Sequence, residues 1–114
     1  MHFDVVTIGG GSAGYAAART ASDLGASVAI VDKGPLGGLC ILRGCMPAKT
    51  LLRSSDIMSL MKRAEEFGLS TGELSADMAC INDRKKRLIK EFADYRTEQL
   101  KNPKYNLIEG KAEF

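Results

Sequence analysis

The sequence predicts an α/β fold, a parallel sheet flanked by helices, and three observations predict it. A short β-rich run at 3–8 is broken by three glycines, followed by an alanine-rich helical stretch and then a second β-rich run ending at Asp32. That order is a βαβ unit, whose crossover makes parallel strands and is right-handed. Farther on, two longer helical stretches lead to a last β-rich segment at 105–114.

Each element has a local reason. Phe-Asp-Val-Val-Thr-Ile at 3–8 reads as a buried strand. From Ser12 to Leu24, Ala13, Ala16, Ala17 and Ala21 recur at helical spacing, and Gly25 suits the left-handed residue that often ends a helix. Ser27 to Val31 reads as a second buried strand. Lys33 to Gly38, with three glycines and Pro35, reads as a loop. A helix is expected from near Cys45 to about Arg63, because Pro47 fits only a first helical turn. Glu65 to Leu74 reads as a linker and Ser75 to Lys101 as a long helix, in which Met78, Ile81, Leu88, Phe92 and Tyr95 form one apolar stripe. Asn102-Pro103 stops it, and Tyr105 to Phe114 reads as a third strand. An ending inside strand-like sequence suggests a partial domain, a piece of a longer protein.

Composition narrows the function classes. The chain has 114 residues, 45% hydrophobic and 26% charged, about the size of one domain. A net charge of +2 gives no case for nucleic acid or a membrane surface. No apolar run approaches the ~20 residues of a membrane span. The start lacks the basic region of a signal peptide, so a cytoplasmic protein is expected. Arg84-Lys85-Lys86-Arg87 has no interleaved aromatics and reads as a solvated helix face. Cys80 is expected to be buried in its helix, and Met46, Met58, Met61 and Met78 to fill the core.

The glycines carry the first chemical signal. Gly9-x-Gly11-x-x-Gly14 sits between a strand and a helix, and Asp32 follows eighteen positions after Gly14. Gly9 permits the tight turn, Gly11 the close approach of a diphosphate, and Gly14 the packing of helix on strand. The helix N-terminus around Ser12 and Ala13 offers free N–H groups to phosphate. Asp32 is suited to accept both ribose hydroxyls, and its charge opposes a 2′-phosphate. The pattern defines a Rossmann-like dinucleotide-binding fold.

The second signal is Cys40-Ile41-Leu42-Arg43-Gly44-Cys45-Met46-Pro47-Ala48-Lys49. In a regular α-helix, residues five apart lie roughly 8.5–9 Å apart at Cα, whereas a disulfide needs about 7 Å or less. A bridge therefore requires a bend, which Gly44 and Pro47 favour, with Cys45 near a helix N-terminus that promotes its thiolate. On residues alone, two reduced cysteines, a structural disulfide and a redox pair all remain open. A zinc site needs about four ligands. With Cys80 distant and His2 the only histidine, no metal site is expected.

Together these features resemble the pyridine nucleotide–disulfide oxidoreductases, the family of dihydrolipoamide dehydrogenase, glutathione reductase and mercuric reductase. The family pattern Gly-Gly-Thr-Cys-x-Asn-x-Gly-Cys-x-Pro-Ser-Lys is matched by Gly37, Gly38, Cys40, Gly44, Cys45, Pro47 and Lys49. It is departed from at Leu39, Leu42 and Ala48, which replace threonine, asparagine and serine. Gly110-Lys111-Ala112-Glu113-Phe114 is similar to the family's Gly-x-Ala-x-Phe strand, so the resemblance spans the chain, and dihydrolipoamide dehydrogenase is the nearest type.

The resemblance implies an FAD-binding domain in which electrons from NAD(P)H pass through FAD to a redox-active Cys40–Cys45 disulfide. Cys45 would be the flavin-side thiolate and Cys40 the interchange thiol. Lys49 would lie near the flavin. The implied cofactor-binding residues are Gly9, Gly11, Ser12, Ala13, Gly14, Asp32, Lys33, Gly38, Cys40, Lys49, Lys111 and Ala112. The substrate would be a small-molecule or protein-bound disulfide and the whole protein a homodimer. The family's nicotinamide-binding and dimerisation domains and its catalytic histidine have no counterpart in this sequence, so the chain alone is expected to be inactive. The alternatives are a mercuric reductase-like enzyme or another reductase of the family and, in another class, a non-catalytic nucleotide-binding fragment.

Overall fold

A computed structural model describes all residues from 1 to 114. Three strands, β1 (Val5–Ile8), β2 (Val28–Asp32) and β3 (Asn106–Glu109), form one parallel sheet in the order β1-β2-β3. Helix α1 (Ser12–Asp23) connects the first two strands. Helices α2 (Gly38–Arg43), α3 (Cys45–Lys62) and α4 (Met78–Leu100), with a 3₁₀ turn at Ala64–Phe67, connect the second to the third.

The βαβ unit forms as the sequence predicts. Helix α1 ends in a Schellman turn: Gly25 N–H donates to Ser22 O and Ala26 N–H to Ala21 O, both at 3.0 Å, with Gly25 at φ 90°. The pairing Val5–Val28 and Thr7–Ile30 puts these four residues on the sheet face that α1 covers. There Ala18, Val28, Ile30, Leu100 and Tyr105 make the core, with Tyr15 edge-on to Tyr105 and under the Arg96 guanidinium. The end of α4 thus packs beside α1.

The opposite sheet face is largely bare, Ala29 alone being buried there. Val6, Ile8 and Ile108 are exposed there, so β1 is not the buried strand expected from its apolar run. A parallel strand carries apolar residues on both sides because both are meant to be covered, and in this chain only one is. The third strand also ends earlier than expected, at Glu109. Its register with β2 runs out at Asp32, and Gly110 N–H donates to Asp32 O as the last bond.

Helix α3 matches expectation, and α4 begins at Met78 because the Asp77 side chain accepts the Cys80 N–H at 3.0 Å. The predicted α4 stripe is only half-covered: Ile81 and Leu88 are partly buried, whereas Met78, Phe92 and Tyr95 are exposed. Met61 is also exposed and Met46 and Met58 half-buried, so the methionines do not fill a core. Cys80 is exposed rather than buried, because the first turn of α4 has no element against it. Arg84 to Arg87 lie largely in solvent, with Arg87 paired to Glu91 and Lys86 to Asp83. No helix is long and apolar enough to cross a membrane.

Candidate functional site

The site lies at the C-terminal ends of the strands, where ligands of open α/β sheets bind. The glycine turn between β1 and α1 is fixed by packing. A Cβ on Gly14 would fall 1.8 Å from Gly9 O, so only glycine lets α1 sit this close to the turn. Helix α1 has no side-chain cap and no acidic residue in its first turn. Its first N–H groups are therefore free to meet an anion.

Asp32 ends β2, as the spacing predicts, and its carboxylate closes the turn. Oδ2 accepts the Gly10 N–H at 2.5 Å and Oδ1 the Gly34 N–H at 2.7 Å. A carboxylate has about four acceptor positions, so each oxygen keeps one for a hydroxyl.

Two adjoining clefts meet along Ile8, Gly9 and Leu39. The larger, about 600 Å³, contains Asp32, Lys33, Gly38, Lys111 and Ala112 among its walls. The smaller, about 480 Å³, is lined by Gly9, Gly11, Ser12, Ala13, Gly14, Leu39, Cys40, Gly44 and Cys45. The structure therefore brings together every site residue named from sequence except Lys49, which is exposed on α3 and lines neither cleft.

The cysteines sit where two helices meet. Helix α2 stops at Arg43, the chain bends at Gly44, and α3 starts at Cys45. Cys40 and Cys45 form a disulfide with Cα atoms 4.9 Å apart, far closer than one continuous helix would allow. A Cβ on Gly44 would fall 3.1 Å from Leu39 O and 3.3 Å from the Cys40 Cα, so the small residue permits the tight bend. Cys45 is exposed at the first position of α3 and Cys40 is half-buried. No group of side chains forms a metal site.

Sequence reasoning missed α2, reading 33–38 as a loop followed by an irregular bend. Leu39, Leu42 and Arg43 consequently join the wall of the larger cleft unannounced. Two of the three departures from the family pattern, Leu39 and Leu42, are among them. The only local signal was the run Leu39-Cys40-Ile41-Leu42-Arg43, too short to assign by period.

Comparison with known proteins agrees with this geometry. The family model described as pyridine nucleotide-disulphide oxidoreductase matches residues 3–113, and the chain belongs to that family. A dihydrolipoyl dehydrogenase of Bacillus subtilis (strain 168) is 38% identical over 109 residues, covering 94% of this chain and 24% of that protein. One from Acholeplasma laidlawii is 39% identical over 93 residues, 81% of this chain and 28% of that protein. A mercuric reductase of Lysinibacillus sphaericus is 34% identical over 114 residues, 99% of this chain and 21% of that protein. The chain spans about a quarter of the length of the curated relatives it matches.

Proposed function

We propose that this chain is the FAD-binding, dithiol-bearing part of an NAD(P)H-dependent disulfide oxidoreductase of the dihydrolipoyl dehydrogenase type. The observation that carries the reading is that the Cys40–Cys45 disulfide forms a wall of the same cleft as the glycine turn. A dinucleotide on the turn would reach the sulfurs.

The residues fit FAD. Gly11 and the uncapped N–H groups of Ser12, Ala13 and Gly14 would meet its diphosphate. Asp32 would take the ribose, Lys33 and Gly38 would border it, and Lys111 and Ala112 would flank the adenine. When bound, FAD would relay two electrons between NAD(P)H and the cysteine pair, accepting them from the dithiol when a substrate dithiol is oxidised and returning them to the disulfide in the reverse direction. Cys45, at a helix N-terminus, is the better thiolate leaving group. A substrate thiolate attacks Cys40 Sγ, the Cys40–Cys45 bond breaks, and Cys45 departs as thiolate. A second substrate thiolate then attacks the mixed disulfide and expels Cys40, so the substrate dithiol is oxidised and the protein disulfide reduced. Reversal serves a disulfide substrate, small or protein-bound. Lys49, one turn beyond Cys45, lines neither cleft, so the geometry gives it no contact with a cofactor bound there. We assign the 114 residues to the N-terminal part of an FAD domain whose whole protein is a cytoplasmic homodimer.

Redox titration of the thiols tests this. Cys80 should react freely throughout, while Cys40 and Cys45 should protect each other in oxidising dithiol buffer and appear together on reduction. Independent titration of the two would refute the reading. The similarity to a mercuric reductase, over 99% of this chain and 21% of that protein, favours a second reading. Turnover of Hg(II) rather than lipoamide by the intact protein would select it.

A further inference from the structure

We propose that Arg43 is an additional ligand-binding residue of the larger cleft, reading the phosphate charge of an adenine nucleotide. The inference rests on the nucleotide-binding reading above and extends it to a residue outside the glycine turn.

Four charged residues line this cleft: Asp32, Lys33, Arg43 and Lys111. Both oxygens of Asp32 are engaged by the Gly10 and Gly34 amides, and Lys111 pairs with Glu113 at 3.0 Å. Neither Lys33 nor Arg43 forms a side-chain ion pair or hydrogen bond, although acidic side chains elsewhere in the chain make several such pairs; of the two, Arg43 carries the planar fork suited to phosphate. Its backbone is nonetheless held firmly. It ends α2, whose first residue, Gly38, packs against the glycine turn so closely that a Cβ there would lie 2.6 Å from the Gly11 Cα. The Cys40–Cys45 bridge ties the same helix to α3. An unpaired arginine on a doubly anchored helix, lining a cleft that has excess positive charge and adjoins the glycine turn along Gly9 and Leu39, is matched to a phosphate. Its planar fork can donate two parallel hydrogen bonds to phosphate oxygens.

The test titrates ADP and adenosine, up to millimolar concentrations, into the ¹⁵N-labelled 114-residue chain and follows amide and Arg43 Nε–H signals by NMR. The parent chain should bind ADP more tightly than adenosine, and the Arg43 Nε–H signal should move with ADP only. Arg43→Ala and Arg43→Gln should each weaken ADP about 10-fold or more, leave adenosine unchanged, and flatten the salt dependence. Arg43→Lys should recover part of the loss. Asp32→Ala should weaken both ligands alike. Parent-like ADP binding by Arg43→Gln, with Asp32→Ala still defective, would overturn the Arg43 assignment alone. Equal loss of ADP and adenosine in Arg43→Gln would show a structural role and overturn it too. Absence of binding of either ligand by the parent would overturn the nucleotide reading, and the Arg43 assignment with it.

Discussion

At the residue scale, Asp32 joins two tasks that the sequence presents as one. Its carboxylate orders the glycine turn through Gly10 and Gly34 before any ligand arrives. Asp32→Ala should therefore weaken adenine-nucleotide binding by about 1.5–3 kcal/mol through lost charge-assisted bonds, and lower folding stability as well, because two part-buried amides lose an acceptor. Parallel ligand titration and urea unfolding check both effects. Stability unchanged in the variant would mean the amides find other partners. Asp4 behaves more simply. Its Oδ2 accepts the Ser27 hydroxyl and the Ser27 N–H, and these two bonds hold its carboxyl below the usual aspartate range. A depressed pKa stabilises the fold above the unfolded value, and that contribution is lost as pH falls through the folded one. An NMR titration should find Asp4 protonating below an unfolded-peptide aspartate, and Ser27→Ala should move it back up.

At the element scale, the break between α2 and α3 decides whether the cysteines can act as a pair. The break needs room beside Leu39 O and the Cys40 Cα, which Gly44 leaves free. Gly44→Ala should push the helices apart by a few tenths of an ångström and lower the effective concentration of one thiol at the other. In a graded glutathione buffer, the variant should hold a smaller oxidised fraction than the parent at the same ratio. Equal fractions would show that the bend tolerates a methyl group. The pattern match at 37–49 located the pair, but a helix on each side of Gly44 was visible only in three dimensions. A six-residue helix lacks the length to show a period, and its formation depends on Gly38 docking against Gly11.

For the whole molecule, shape and exposed surface tell one story. The radius of gyration is 20.0 Å and the extents are 65 × 27 × 23 Å, whereas a compact domain of this length has a radius near 13 Å. The pair α3 and α4 projects from the sheet, and Leu52, Leu60, Phe92 and Tyr95 on it remain exposed. With Val6 and Ile108 also bare on the open sheet face, the 114-residue chain should self-associate with concentration. Analytical ultracentrifugation should show this, and Val6→Lys with Ile108→Lys should reduce it. A strictly monomeric parent at all concentrations would contradict it. The same openness bears on FAD. On the proposed function, the walls for diphosphate, ribose and adenine lie within these residues, but one face of the ring system would stay in water and forgo part of the ~25 cal/mol per Å² gained by burial. The isolated chain should hold FAD weakly, and NADH should not open its disulfide. Stoichiometric flavin surviving gel filtration would show that these walls suffice.

By itself the sequence determined the βαβ unit, the glycine turn, Asp32 at the end of β2 and the need for a bend between Cys40 and Cys45. These rest on interactions within one or two elements, where residue type and spacing dictate backbone conformation directly. Tertiary structure alone decided that β1 has one bare face, that Cys80 and three residues of the α4 stripe face solvent, and that Arg43 lines the larger cleft while Lys49 lines neither. Periodicity says which side of a helix or strand is apolar, and it is silent about what covers that side. Cover comes from contacts between distant parts of the chain, such as Leu100 beside Gly10 and Lys104 paired with Asp23. Burial and site membership follow from those contacts.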